Sequence, residues 1–156
     1  MISMTPSKTD QQVQSFEPLE CLLKGQAEAG DRYKIYQLIE RGFAIEDVIK
    51  SFELIRVLDD KTLRLKILGI SGRTLSRRMK KPKEPLTPEQ SSRALQFVEV
   101  LAKAETVLGN QTNAEHWMVK PQLGLNGRTP IDLLTNPIGY ELVDEFLSRL
   151  YYGVYQ

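Results

Sequence analysis

The sequence predicts an all-α fold, and three observations lead to that class. Apolar residues recur at helical spacing from about Pro18 onward. Several stretches open with a capping residue followed by proline, which is a signal for the start of a helix. No run of alternating, β-branched residues indicates a strand. With 156 residues and 41% hydrophobic content, the chain is large enough to build one ordinary domain or two small ones.

The amino-terminal part is predicted to contain a tail and then helices. Residues 1–16 are polar and lack sustained apolar periodicity, which indicates a disordered tail. One amphipathic helix should begin after Asp31 and end at Gly42. Its apolar face is expected to contain Tyr33, Tyr36 and Ile39, flanked by Ile35 and Leu38. The helix after it is expected to bury Ile45, Val48, Ile49, Phe52 and Ile55.

Three cap signals predict the helices of the second half. Thr87-Pro88, with Gln90 three residues after the cap, forms a capping box before a long helix that ends at Gly109-Asn110. Thr129-Pro130 and Asn136-Pro137 open two further helices in the same way. The apolar stripe of the long helix contains Ala94, Phe97, Val98, Leu101, Ala104 and Leu108.

The net charge of +1 conceals a strongly basic segment. Residues 61–83 carry nine Lys/Arg and no Asp/Glu, whereas acidic residues outnumber basic ones on both sides. A segment of a single sign favours binding to a polyanion. A solvated basic helix would have the same charge, so charge alone leaves both interpretations open.

The basic segment also has the pattern of a helix-turn-helix. Thr62–Leu68 predicts a short helix, Gly69 a left-handed turn, and Ser71 the cap of a second helix that runs to about Lys81. The contacts between the two helices are expected from Leu65, Leu68, Ile70, Leu75 and Met79.

The outer face of the second helix is predicted to bind DNA. Arg73 and Thr74 lie near its amino terminus, where side chains reach base edges in the major groove. Arg77 and the lysines that follow are placed to contact phosphates. The predicted DNA-binding residues are Ser71, Arg73, Thr74, Arg77, Arg78, Lys80 and Lys81.

The sequence predicts no enzyme, cofactor or metal site. His116 is the only histidine, and no nearby cysteine completes a metal site or a nucleophile–base pair. We expect it on a helix surface, with Trp117 in the core. Asp144 and Glu145 are adjacent, so on a helix they point about 100° apart and form no facing acid–base pair.

Cysteine usage and hydropathy predict the compartment. Cys21 is the only cysteine, so it has no partner for an internal disulfide. The sequence contains no apolar run of signal-peptide or membrane-spanning length. Together these features predict a reducing, cytoplasmic setting.

Two stretches of the chain resemble the Xre/MbcA/ParS antitoxin family, whose members neutralise RES-domain toxins in bacterial toxin–antitoxin operons. They are GISGRTLSRRMKKPKEPLTPEQSSRALQFVEVLAKAETVLGN and GRTPIDLLTNPIGYELVDEFLSRLYYGVY. The similarity runs from about Ile70 to Tyr155. Its most specific parts are GISGRTLSRR, LTPEQSSR, the GRTP-DLL turn and the terminal GVY.

This resemblance implies an Xre-like DNA-binding region, expected at 17–84, followed by a toxin-binding region, expected at 85–156. The proline-rich segment KKPKEPLTP marks the boundary between them. The resemblance also implies that the partner toxin degrades NAD⁺ and that the carboxy-terminal end of the antitoxin blocks its active site. The residues expected to contact the toxin are Tyr151, Tyr152, Gly153, Val154, Tyr155 and Gln156.

The end of the chain can be interpreted in two ways. The inward stripe of the last helix is expected to contain Leu142, Val143, Phe146, Leu147 and Leu150. Gly153 is expected to end that helix, and Tyr151 either extends the stripe or contacts the partner. For Val154, Tyr155 and Gln156 the residue pattern alone favours a frayed end, whereas the resemblance favours a short plug with aromatic anchors.

Alternatives remain for assembly and for function. Palindromic operators favour a homodimer within a larger toxin–antitoxin complex. Phe97 and Val100 are candidates for a dimer face, although packing within the same chain explains them as well. The alternative function is a dimeric helix-turn-helix transcriptional regulator without a toxin partner. A small enzyme or an RNA-binding helical module is a more distant one.

Overall fold

The computed structural model describes residues 16–154, except for the side chain of Val154. The predicted tail before Phe16, together with Tyr155 and Gln156, lies outside the described residues. The helices of the described part, in chain order, are α1 (Glu17–Leu23), α2 (Arg32–Arg41), α3 (Ile45–Glu53), α4 (Lys61–Leu68), α5 (Gly72–Met79), α6 (Pro88–Leu108), α7 (Gln111–Met118), α8 (Pro130–Leu133) and α9 (Pro137–Val154).

Two 3₁₀ turns, Arg56–Asp59 and Leu123–Leu125, complete the secondary structure of the described part. Two isolated bridges, Ala44 with Pro85 and Gln122 with Arg128, are its only β-type pairing. The prediction of an all-α fold is therefore confirmed. No helix between residues 16 and 154 has both the length and the apolar character needed to cross a bilayer.

The predicted helix starts are present in the structure. Thr87 and Gln90 form the capping box reciprocally, because each side-chain oxygen accepts a hydrogen bond of 3.1 Å from the backbone N–H of the other residue. The side chains of Asp31, Thr129 and Asn136 each accept a hydrogen bond from the N–H three residues later. These caps satisfy N–H groups that the first turn of a helix leaves unpaired.

One apolar core runs through both halves of the chain, with the long helix α6 at its centre. α6 packs against α1, α2 and α4, which precede it in the chain, and against α7 and α9, which follow it. The ring of Phe97 meets the ring of Phe52 edge to face, with 6.0 Å between the centroids. Phe97 and Val100 are both buried inside this chain. The interpretation of these two residues as a dimer face is therefore wrong, and packing within the chain explains them.

Several predicted core positions face solvent instead. Tyr33 and Tyr36 are mostly exposed, and α2 buries Ile35 and Leu38 against the core. The sequence pattern counted tyrosine as apolar, but its hydroxyl can remain in water while the aliphatic side chains are buried. Met79 and Leu142 are also exposed. In the opposite direction, Phe16 was assigned to the tail but is buried.

Two helices end at other residues than predicted. α5 ends at Met79, with Lys80 as its cap, although it was expected to reach about Lys81. α9 continues through Gly153 to Val154, so Gly153 does not end it. Gly153 has no positive φ, which means that its backbone does not use the left-handed conformation that a terminating glycine supplies.

Candidate DNA-binding and toxin-binding surfaces

The helix-turn-helix is formed by α4, a three-residue turn at 69–71, and α5. The Asp60 carboxylate caps α4 by accepting a hydrogen bond of 2.9 Å from Thr62 N. Hydrogen bonds from Thr62 lower the pKa of that carboxyl below its ordinary value. Gly69 then turns the chain with φ of +69°, and Ser71 Oγ caps α5 by accepting from Thr74 N at 3.1 Å. The local residues therefore produce the predicted motif.

The turn is fixed from outside by Arg93 on α6. Its Nε donates to the carbonyl oxygen of Ile67 at 2.8 Å, and its Nη2 donates to that of Lys66 at 2.9 Å. These carbonyls belong to the last turn of α4, where a cation and its donors are favoured. A Cβ on Gly69 would lie only 2.8 Å from Arg93 Nη1. The guanidinium therefore occupies the space that the glycine leaves open.

This contact joins two of the stretches that carry the family resemblance, since Gly69 begins GISGRTLSRR and Arg93 ends LTPEQSSR. No motif in the sequence identifies Arg93 as a partner of the turn. The only signal available was an arginine in the second turn of a well-capped helix, and that pattern does not say which carbonyls the arginine meets.

The outer face of α5 presents cations to solvent. Arg73, Arg77 and Lys80 are all exposed, and α5 has no buried residue. These three residues lie along one face at helical spacing, as predicted from the sequence. The described part of the chain places no carboxylate within ion-pair distance of any of them. The row is therefore available for an external anion.

The other four predicted DNA-binding residues also have partners within the chain. Ser71 and Thr74 share the cap of α5, with 3.0 Å between their hydroxyl oxygens. Arg78 is half-buried and its Nη1 donates to the carbonyl of Pro85 at 3.3 Å. Lys81 Nζ lies 3.7 Å from the carboxylate of Glu84. These contacts add structural roles for four residues of the predicted set, while their binding to DNA stays a prediction.

The helix-turn-helix packs directly against the carboxy-terminal half. Lys66 on α4 forms an ion pair with Asp132 on α8, and this hydrogen bond lowers the pKa of the Asp132 carboxyl. The buried carboxylate of Glu115 on α7 accepts from Val57 N at 2.8 Å and from Gln111 Nε2 at 3.0 Å. Polar contacts thus hold α8 against α4, and α7 against the 3₁₀ turn that precedes α4.

The carboxy-terminal half holds α9 between an aromatic contact and a polar one. The ring of Phe146 stacks on Trp117, with 6.0 Å between centroids and 16° between planes. On another side of α9, Lys103 Nζ on α6 donates to Asp144 Oδ1 at 2.8 Å and to Ser148 Oγ at 2.7 Å. Trp117 is buried, as the sequence predicted.

The last turn of α9 exposes the predicted toxin-contacting residues that the structure describes. Tyr151, Tyr152 and Gly153 are exposed, and the two tyrosine rings meet edge to face at 5.4 Å. Beside them lies a concavity of about 290 Å³. It is lined by Lys103, Thr106, Val107, Ser148, Tyr151 and Tyr152. Toxin contact at these residues stays a prediction, as it does for the side chain of Val154 and for Tyr155 and Gln156, which are not described.

No cluster of possible metal ligands accompanies these surfaces in the part of the chain that the structure covers. His116 is exposed on α7, as expected from the sequence. Within residues 16–154, no group of three or more His, Cys, Asp or Glu side chains could hold a metal ion. Two exposed surfaces are candidate binding sites: the cation row of α5, which consists of Arg73, Arg77 and Lys80, and the tyrosine end of α9, which carries Tyr151 and Tyr152.

Comparison with known proteins matches both regions. Residues 35–99 match the family model of the antitoxin Xre-like helix-turn-helix domain, and residues 103–153 match that of the antitoxin Xre/MbcA/ParS C-terminal toxin-binding domain. An antitoxin Xre of Pseudomonas putida is 32% identical over 129 residues, which cover 81% of this chain and 76% of that protein. An antitoxin Xre of Yersinia enterocolitica is 35% identical over 118 residues, covering 75% and 78% respectively.

These matches confirm the predicted order of the two regions. α6 runs without a break from the end of the first matched region into the start of the second. Both relatives are named as antitoxins, which agrees with the prediction that the chain is not an enzyme. We conclude that the chain belongs to the Xre/MbcA/ParS antitoxin family and is an antitoxin with a helix-turn-helix region and a toxin-binding region.

Proposed function

We propose that the chain neutralises a RES-domain toxin that degrades NAD⁺ and that it represses its own operon through α5. The observation that carries the proposal is the pairing of two exposed surfaces on one fold. The cation row lies in the region that matches an Xre-like helix-turn-helix, and the tyrosine end of α9 lies in the region that matches a toxin-binding domain. In this proposal residues 17–84 act on DNA and residues 85–156 act on the toxin, in the cytoplasm.

The toxin is blocked by the end of α9 and the residues that follow it. Tyr152 offers a large ring with a polar tip and little rotamer entropy to lose, and residues of this type are common anchors in protein interfaces. The bonds from Lys103 to Asp144 and Ser148 hold the preceding turns of α9 on α6. A helix that is already held in place loses less entropy when it binds. Residues 151–156 then enter the cleft where the toxin binds NAD⁺.

Co-expression with the cognate toxin tests this half of the proposal. Cells that make the toxin alone should stop growing and lose NAD⁺. Cells that also make the full chain should keep both growth and the NAD⁺ pool. A toxin that stops growth while NAD⁺ remains constant would show that the RES assignment is wrong. Failure of the full chain to restore growth would favour the alternative, a transcriptional regulator without a toxin partner.

The operator is bound by α5 in the major groove. Arg73, near the amino terminus of α5, can donate two parallel hydrogen bonds to a guanine, whereas Arg77 and Lys80 contact phosphates. Arg93 supports this arrangement because it fixes the turn that aims α5, which has no buried residue of its own. A homodimer, within a larger toxin–antitoxin complex, matches the two halves of a palindromic operator.

Arg73→Ala should weaken binding to the operator by roughly 1–3 kcal/mol because it removes a base contact. Binding to a scrambled duplex should change much less, so the ratio of specific to non-specific affinity should fall. Fluorescence anisotropy on both duplexes, at several salt concentrations, measures this ratio.

The control for Arg73 is Lys80→Ala, which removes one exposed cation from the same face. It should weaken binding to both duplexes alike and make the salt dependence of the affinity shallower, as the loss of a phosphate contact does. If Arg73→Ala left the specificity ratio unchanged, Arg73 would not read a base.

A further inference from the structure

We propose that the toxin also docks on a rigid apolar surface beside the amino-terminal half of α9, away from the blocking end. This surface, the Leu123 patch, consists of Leu123, Ile138 and Leu142. The inference rests on the antitoxin function and on the existence of a toxin partner. It does not depend on whether that partner degrades NAD⁺.

The three side chains of the Leu123 patch are unusually exposed for their type. Leu123 is 97% exposed, Ile138 64% and Leu142 46%. Single exposed aliphatic residues are common on protein surfaces, but a cluster of them marks an interaction site. Five of the nine large apolar side chains that are exposed in the described residues fall within residues 103–153. The region that matches the toxin-binding model therefore carries most of the exposed large apolar side chains.

Ile138 and Leu142 lie on one flank of α9, and Leu123 belongs to the 3₁₀ turn that packs against the same helix. Ile138 and Leu142 are one helical turn apart, so their side chains are neighbours. The turn that carries Leu123 packs against the same helix, because a Cβ on Gly124 would lie 2.2 Å from Phe146 Cε2. Phe146 follows Leu142 by one more turn. The backbone beside Leu123 thus touches the helix next to the two aliphatic side chains.

Leu123 is held firmly although it is exposed. Gln122 N donates to the carbonyl of Arg128 at 3.0 Å, and Gly127 N donates to that of Gln122 at 2.8 Å, which closes the turn. Behind the turn, Phe146 is stacked on buried Trp117. A side chain presented on a fixed backbone loses little entropy on binding, which is how strong contact residues in interfaces are built.

The toxin is the occupant that the observations favour. Exposed positions of α9 continue from the patch along one stripe through Arg149 to Tyr152, which belongs to the proposed blocking end. Helical rise puts Ile138 and Tyr152 about 20 Å apart, which a single partner surface can span. Exposed Glu145 lies within this stripe, between Leu142 and Arg149, and exposed Glu141 lies beside it, so DNA phosphates would be repelled. The complementary face of the toxin should be apolar, with basic side chains at its edge.

Paired double variants test the inference in the full chain. Ile138→Ser with Leu142→Ser should weaken binding to the cognate, catalytically inactivated toxin at least 10-fold. The control, Tyr33→Ser with Tyr36→Ser, removes two exposed apolar side chains outside residues 103–153 and should leave toxin affinity unchanged. Calorimetric titration measures the toxin affinity. In both double variants the operator affinity and the thermal midpoint of unfolding should equal those of the unmodified chain.

Leu123→Ser provides a second test in case the helix variant unfolds more easily. Leu123 is almost fully exposed, so its loss should weaken toxin binding several-fold without changing the thermal midpoint. Toxin affinity equal to that of the unmodified chain in both patch variants would overturn the inference. Loss of self-association with unchanged toxin affinity would also overturn it, by assigning the patch to a second copy. Weaker binding to a toxin that leaves NAD⁺ intact would support the patch while contradicting the RES assignment.

Discussion

Deletion of residues 151–156 should abolish neutralisation of the toxin and leave operator binding intact. The deleted residues include Tyr151 and Tyr152, which are exposed on the last turn of α9. Truncating one strong contact residue in an interface typically costs about 2 kcal/mol or more. Losing two such aromatic side chains and the end of the plug should weaken toxin binding at least about 100-fold, since each 1.4 kcal/mol is tenfold. Growth rescue and toxin affinity measure the loss.

The fold should survive this deletion because α9 is anchored upstream of it. Lys103 bonds to Asp144 and Ser148, and Val143 and Leu147 supply the fully buried positions of the helix. The thermal midpoint should therefore change by only a few degrees. The full-length variant Tyr152→Ser keeps the chain length and removes one proposed anchor, so it should weaken toxin binding less than the deletion does. Full rescue by the truncated chain would show that the end is dispensable and that other parts of α9 bind the toxin.

The helix starts could be predicted from the sequence because each depends on a few neighbouring residues. Thr87, Ser71 and Thr129 all cap the helices that their local patterns indicate. The buried face of α2 could not be predicted in this way. Tyr33 and Ile35 both count as apolar in a periodicity pattern, and only packing against α6 decides which of them is buried.

In the candidate sites, too, local features could be predicted from the sequence and contacts between distant residues could not. The outward placement of Arg73, Arg77 and Lys80 follows from helical spacing alone, so it could be predicted from the sequence. The contact between Arg93 and Gly69 could not, because 23 residues separate them and no local rule pairs them. Leu142 was assigned to the core because the stripe of α9 is broadly apolar, whereas its neighbours in space leave it exposed.

The long helix α6 gives the two proposed activities, operator binding and toxin neutralisation, a common structural base. It carries Arg93, which fixes the helix-turn-helix, and Lys103, which holds α9. Exposed residues of α5 and α9 should therefore affect one activity each. A buried residue in the middle of α6 should affect both, because its loss destabilises the fold on which the two surfaces depend.

Phe97→Ala is the clearest case, and it should lower the free energy of unfolding by about 3–5 kcal/mol. Phe97 is fully buried on α6 and its ring packs against Phe52. Small domains have roughly 5–15 kcal/mol of total stability, so this loss removes a large part of it. Operator binding and toxin neutralisation should decline in parallel as the temperature rises, and urea unfolding measures the stability change.

Val107→Ala is the control for Phe97→Ala. Val107 is only half-buried on the same helix, so its substitution should lower the free energy of unfolding much less. A change in self-association with unchanged stability would instead place Phe97 at an interface between chains. Its complete burial within one chain argues against that outcome. Phe97→Ala should impair both activities in parallel, whereas Arg73→Ala should impair only operator binding and the truncated chain only toxin binding. This difference would separate the contribution of the fold from that of its two surfaces.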